Sequence, residues 1–532
     1  MSDMNTRKGF FERILTILIV FCILAHILLY AFMNFQGFDS VCNSDAYADC
    51  QVAQRMWEQK TLFPEGWRFG NQFYVVATPA LAAVLYGLIG NINTAMILST
   101  ELMTVLIVLS LIWLLRSFTR SSLNQVFCLL LLFASVIAPW GPYSINIIFF
   151  FQQASFYACY LITMFVVYGD YIRSLYTTDR RGIMLVLSLL LSFMTGMQSL
   201  RQTLVMILPL LVCELYQALR RVLEGKGPWQ RENFHSLLRV VGYAAANLAG
   251  VAIAERMDVP TVPIYGEITR VSAEQLLQKV NAVGDALIEI TSLDYILQGD
   301  FSKLIGLDIL WMIGLVLVGA ILWIARIRRR ENALELCWLL FLIGIVGVCL
   351  ATVLFNITLR SVYLFLWFPL VAFSGLMITE KFPLLPKYGV IVVTCIFSMA
   401  TLLYCWTPYA VSLVRGETSS EVQASRWIMD NGFEYVYGDY WGAAPGIAHY
   451  SQGELDAGCW HTAENVFLVE MMNTPQDIYG EEENRIAIYV FSASDEEAGL
   501  LAAQAQNVVL EKVAEFGNLR LYTSPVPLMR VQ

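Results

Sequence analysis

Two aspartates four residues apart mark the first place in this chain where chemistry is within reach. In the stretch "NSDAYADC", Asn43 to Cys50, Asp45 and Asp49 share one face if the segment is helical, and they stand just beyond a long apolar run. A carboxylate there can take a proton from a hydroxyl. The same position suits a plain helix cap, and Ser44 or Asp45 fits that role as well. Together with Glu65 the pair supplies three carboxylates of the kind a hard divalent cation takes, although three acids in a loop also describe an ordinary solvated surface. Cys42 and Cys50 flank the pair; a bridge would close a short ring around it, and buried free thiols fit equally well. Cations to match these acids are few. Arg201 in "GMQSLRQT" and Arg360 in "NITLRSVY" fall at the expected outer ends of spans, and a guanidinium suits phosphate oxygens. Snorkelling to lipid headgroups is the alternative for both. Tyr363, one turn after Arg360, is expected on its face.

The elements that must hold these residues follow from composition. Of the 532 residues, 57% are apolar and 14% charged, against about 25% charged in a soluble domain. The chain therefore reads as a polytopic membrane protein. Its eleven cysteines form no CxxC pair and its four histidines are scattered, which speaks against a zinc ribbon, a disulfide scaffold or a His-rich metal site. Apolar segments near 14–33, 94–115, 124–140, 154–172, 183–198, 203–219, 236–255, 306–325, 334–354, 362–379 and 389–407 give about eleven spans, the first retained rather than cleaved. Basic clusters such as Arg7, Lys8 and Arg13, Arg116 and Arg120, and Arg326 to Arg330 then fall on one side. The positive-inside rule puts that side and the N-terminus in the cytoplasm, with the C-terminus outside. The apolar segment Phe73 to Ile89 is left as a helix along the outer interface, because a further span there reverses every later loop.

Three parts remain outside: the loop 34–93, the loop 258–306 and the tail from about Pro408. The tail carries eighteen acidic and six basic residues, a balance of −12 in a chain whose net charge is −9. It reads as a separate acidic domain. "SSEVQASRWIMDNG" and "DEEAGLLAAQAQ" have helical patterns, "FEYVYGDYW" and "NRIAIYVFS" read as strands, and "NVVLEKVAEFGNLRLYTS" reads as a closing pair. No GxGxxG fingerprint or phosphate loop is present, so nucleotide binding has no basis here.

The stretch "SDAYADCQVAQRMW" just after span one, followed by a Pro-bearing interfacial segment ending "LAAVLYGLIG", resembles the first outer loop of the GT-C glycosyltransferases. That superfamily draws sugars from polyprenyl phosphates and includes protein O-mannosyltransferases and bacterial aminoarabinose and lipid-linked-sugar transferases. In it the loop acid activates the acceptor or helps bind a metal, a role the resemblance puts on Asp45. The second acid usual directly after it is Ala46 here, and the usual Pro-Pro opening of the interfacial helix is reduced to "ATPALA" around Pro79.

The resulting expectation is an α-helical polytopic GT-C-like membrane domain, 1–407, and a small α/β extracytoplasmic domain, 408–532. Its expected activity moves a sugar from a polyprenyl-phosphate donor to a cell-envelope glycan, lipid or protein acceptor, with inversion as the family implies. Asp45 is the base with Asp49 in support, and Arg201, Arg360 and Tyr363 hold the donor phosphate. No cofactor is assigned beyond a divalent cation, for which Asp45, Asp49 and Glu65 would be the set. Membrane lipid is a partner and nucleic acid is not. A lipid or polysaccharide flippase and a non-catalytic envelope assembly protein are the other classes, but clear repeat halves and mid-span charges are missing from the sequence.

Overall fold

The computed structural model describes residues 2–41, 43–70, 72–137, 150–152, 155–176, 182–223, 225, 231–261, 269–297, 303–326, 333–355, 357, 359–415, 419–441, 444–452, 454–463, 465–469, 474–475 and 487–531. They form two compact units that do not follow chain order. Unit 1 comprises Met1–Phe32, Glu101–Arg256 and Tyr265–Val411; unit 2 comprises Met33–Thr100, Met257–Ile264 and Ser412–Gln532. All three stretches expected outside the membrane thus contribute to unit 2.

Unit 1 is helical because its sequence leaves it no alternative. Long apolar segments in lipid must satisfy every backbone group internally. Among the described residues eight helices are long and apolar enough to cross a bilayer, including Thr203–Leu223, Lys303–Ala325 and Ala333–Leu354. The expected count of eleven is not reached on this measure. The segments expected at 124–140 and 183–198 form Ser122–Ala134 and Gly182–Gln198, of 13 and 17 residues, and that at 154–172 forms the more polar helix Ala158–Tyr176. Outward-facing apolar side chains such as Ile183, Leu317 and Leu350 stay exposed, as lipid-facing positions would.

Polar residues inside these helices are spent on partners. Asn247 donates to the Ser192 carbonyl at 3.1 Å, and Thr203 donates to Asn247 at 2.6 Å. Any side chain at Gly196 would collide with the Asn247 backbone, so this glycine sets how closely Gly182–Gln198 meets Arg231–Ala254. Arg239 and Tyr243 both bond Asp170, and Lys381 pairs with Glu335 at 3.1 Å. His26 bonds Ser398 at 2.9 Å, and Thr401 donates to Asp308 at 2.6 Å. Charges inside the helices are therefore more numerous than the sequence suggested, and these ones are met by an opposite charge or a hydroxyl.

Unit 2 centres on a seven-stranded mixed sheet. Its strands are β2 (Tyr435–Gly438), β3 (Asp456–Ala463), β4 (Val466–Val469), β6 (Ala487–Ser492), β7 (Glu511–Phe516), β8 (Leu519–Thr523) and β9 (Arg530–Val531), in the order β7-β8-β6-β2-β3-β4-β9. β2 lies between β6 and β3, parallel to both. Helices Ser420–Asp430, Ala444–Tyr450 and Glu496–Ala505 accompany it. The expected closing pair is the β7–β8 hairpin, turned by Gly517 at φ 52°. Trp460 stacks on Phe467 with ring centres 4.2 Å apart, and Tyr489 lies 5.2 Å away on the same core.

The first outer loop is woven into this domain. β1 (Trp67–Arg68) pairs antiparallel with β5 (Thr474–Pro475), and the Phe69 amide donates to the Pro260 carbonyl at 2.9 Å. Phe63, Phe69 and Phe73 meet edge to face at 5.2–6.1 Å. The segment left out of the span count forms the 12-residue helix Thr78–Ile89. At 1.5 Å per residue that is about 18 Å, short of the ~30 Å hydrocarbon core. Gly87 lets it close on Trp57, where a larger residue would meet the indole.

Candidate active site

The helix Ser44–Gln59 carries both loop acids, and the structure settles how it starts. Asn43, not Ser44 or Asp45, is the cap: its side chain accepts from the Ala46 amide at 3.0 Å. That correction releases the Asp45 carboxylate from capping. Asp45 sits half-buried in the first turn, where the positive end of the helix favours a negative charge, and its Oδ1 accepts from the Tyr440 hydroxyl at 2.8 Å.

Asp49 has a different environment. It is 1% exposed, and its Oδ2 has no hydrogen-bond partner among the described residues. Burial pushes its carboxyl well above the ordinary value; a bond from Tyr74 works against this and the nearby Asp45 charge adds to it. Asp49 is therefore the carboxyl of this helix that burial holds in its neutral form to higher pH than usual.

Helix Ala444–Tyr450 packs on the same helix. Gln51 donates to the Pro445 carbonyl at 2.8 Å, and the Tyr47 and Tyr450 hydroxyls are 2.9 Å apart. The His449 ring completes a three-ring cluster with them, 5.0 Å from Tyr47 and 5.1 Å from Tyr450, and burial lowers its pKa to about 4.

Glu65 stands away from this arrangement on an exposed turn, its backbone amide donating to Gln59 at 2.7 Å. Among the described residues no three acids, histidines or cysteines form a group able to hold a metal. A carboxyl held neutral by burial and a solvent-facing turn are a poor donor set for a hard cation. The proposed Cys42–Cys50 bridge lies outside the described residues, because Cys42 does.

In unit 1 the arginine prediction resolves into two different cases. Arg201 lies between Gly182–Gln198 and the π-turn Thr203–Ile207. Its guanidinium donates to the Tyr157 hydroxyl at 3.0 Å and to the Tyr363 hydroxyl at 3.4 Å, and its central carbon lies 4.8 Å from the Tyr363 ring centre. These three line an otherwise apolar groove with Leu200, Leu204, Val348, Ile357 and Phe365. Arg360 does not line it. Its carbonyl accepts the Tyr363 amide at 3.0 Å at the start of the 3-10 turn Ser361–Leu364, while the side chain is exposed. Arg201 and Tyr363, 162 residues apart, are thus brought together, and neighbouring Arg360 is not. Tyr157 is a hydroxyl-bearing groove residue that the sequence analysis does not name. Tyr440 carried no signal at all, since nothing local links position 440 to position 45.

This architecture is also found among solved structures. It matches the crystal structure of ArnT from Cupriavidus metallidurans bound to undecaprenyl phosphate, with a TM-score of 0.60 and 12% identity over 95% of this chain and 97% of that one. The same protein in the apo state matches with a TM-score of 0.57 at 12% identity and the same coverage. At this identity the likeness is one of fold. It agrees with the apolar helices in making this a multi-pass membrane protein. No protein-family profile matches the sequence, and no curated protein is significantly similar to it.

Proposed function

We propose that this protein transfers a sugar from a polyprenyl-phosphate donor to an acceptor at the outer face of a cell membrane, inverting the anomeric carbon. The observation that carries the proposal is the arginine in the apolar groove of unit 1, presented with two tyrosine hydroxyls. A prenyl chain needs an apolar surface, and its phosphate needs a cation and hydrogen-bond donors at the end of that surface. Arg201, Tyr157 and Tyr363 supply these, with Arg360 a second, solvent-facing cation for the donor headgroup. As the sugar leaves, negative charge grows on the phosphate, and the guanidinium stabilises it. Asp45, ionised, takes the proton of the attacking acceptor hydroxyl. Asp49 remains protonated beside it and limits the negative charge on the helix. The N-terminus is cytoplasmic and unit 2 extracytoplasmic, so the acceptor is a wall glycan, lipid or protein of the envelope.

The ArnT structure that holds undecaprenyl phosphate supports the donor class, because this chain shares that fold. The test is transfer of radiolabelled sugar from a panel of polyprenyl-phosphate sugars to membranes containing wild type or Arg201→Ala at matched expression. Loss of a charged hydrogen bond worth roughly 1.5–3 kcal/mol lowers kcat/KM about ten- to a hundred-fold. Absence of transfer from every donor would remove the enzyme reading and restore that of a flippase.

A further inference from the structure

The acid helix of unit 2 is held from the C-terminal domain by a residue with no structural need to touch it. β2 is the central strand of the sheet with parallel neighbours on both sides, and the turn at its carboxyl end carries Tyr440. That is where open α/β sheets present working residues. Tyr440 is fully buried, its ring meets Trp441 edge-on at 5.0 Å, and its hydroxyl donates to Asp45 Oδ1 at 2.8 Å. The packing of the two segments is already secured elsewhere, by Gln51 on the Pro445 carbonyl and by the Tyr47–Tyr450 contact. What the hydroxyl adds is chemical. A donor aimed at a carboxylate oxygen fixes the rotation of that group and favours its ionised form, the form that accepts a proton.

We infer that Tyr440 is the positioning residue of Asp45, and that through it the C-terminal domain is a working part of the transferase. The inference rests on Asp45 serving as the base. Tyr440 itself touches no substrate; it acts by holding the carboxylate in one orientation and one charge state. Other titratable groups on and around this helix include Asp49, Cys50, Arg55, Glu58 and Lys60 with Tyr47, and from elsewhere Tyr74, His449 and Tyr450, with Glu421 beside Gly446. All are unchanged by a substitution at 440, so a difference between the two proteins belongs to the lost hydroxyl.

The experiment uses the full chain as wild type and Tyr440→Phe, which keeps the ring and removes the oxygen. Asp45 is titrated by its labelling with a water-soluble carbodiimide and an amine, read by peptide mass spectrometry from pH 4 to 8. Sugar transfer is measured on the same samples with the donor panel. Tyr440→Phe is expected to raise the Asp45 labelling midpoint by about one pH unit and to lower kcat about ten- to a hundred-fold, with the donor KM and the thermal midpoint unchanged. Replacing Tyr440 with 3-fluorotyrosine, a stronger donor of the same shape, moves the labelling midpoint downward and guards against a folding artefact. An unmoved midpoint in both variants overturns the inference, and so does a moved midpoint with kcat intact. Wild-type protein that transfers no sugar overturns the underlying transferase reading instead, a result distinct from wild-type turnover that Tyr440→Phe leaves untouched.

Discussion

Asp45 and Asp49 occupy one helix face, yet their surroundings differ. One carboxylate meets a hydroxyl donor at the helix start, and the other is sealed from water. Arg201 shows the same dependence on setting, being framed by two tyrosines where Arg360 faces solvent. A guanidinium bonds two oxygens in fixed directions and an ammonium does not. Arg201→Lys should therefore lower kcat/KM for the donor about ten-fold despite the retained charge, measured by initial transfer rates against donor concentration. Activity equal to wild type would mean that only charge matters at this position. His449 yields a prediction about stability. Its folded pKa, about 4, lies below the unfolded value of about 6.5, so its contribution is complete above pH 6.5 and is lost as pH falls through 4. The loss is on the order of 3 kcal/mol. The thermal midpoint of wild type should drop over that window and that of His449→Leu should fall less.

At the scale of elements, the helix Ser44–Gln59 owes its placement to its start. Asn43→Ala removes the bond to the Ala46 amide and should cost about 1 kcal/mol, read as a lowered unfolding midpoint. Increased hydrogen exchange should be confined to the first turn, which includes Asp45. The outcome tells whether the cap or the Tyr440 bond dominates the position of the acid. Elements were the best legible part of the sequence. Period-3.6 and period-2 patterns in "SSEVQASRWIMDNG", "NRIAIYVFS" and "NVVLEKVAEFGNLRLYTS" became the helix, the buried strand and the hairpin that they suggest. β3, "DAGCWHTA", has no clean alternation because both faces of a central strand are covered, and it was not foreseen. Helix Ala273–Ile290, closed by a capping box at Ser272 and Gln275, was likewise hidden inside a stretch taken only as an outer loop.

For the whole molecule, hydropathy was enough to mark it as a helical membrane protein and to separate the three outer stretches. The joining of 33–100 and 257–264 with the C-terminal tail in one unit was not legible, since it depends on pairings such as Trp67 with Pro475 that span some four hundred residues, and the remainder of the loop 258–306 falls in unit 1. The partnerships were not legible: the sequence sets Tyr363 with Arg360, whereas its hydroxyl meets Arg201, and Tyr157 and Tyr440 are brought in by tertiary structure alone. The central claim is that Asp45 is the base. Its most direct test is transfer of labelled sugar from polyprenyl-phosphate donors by wild type and Asp45→Asn in membranes, with expression and thermal midpoint matched. The account predicts a loss of about a hundred- to ten-thousand-fold in turnover. Equal turnover by the two proteins would contradict it and reduce Asp45 to a structural residue of the first helical turn.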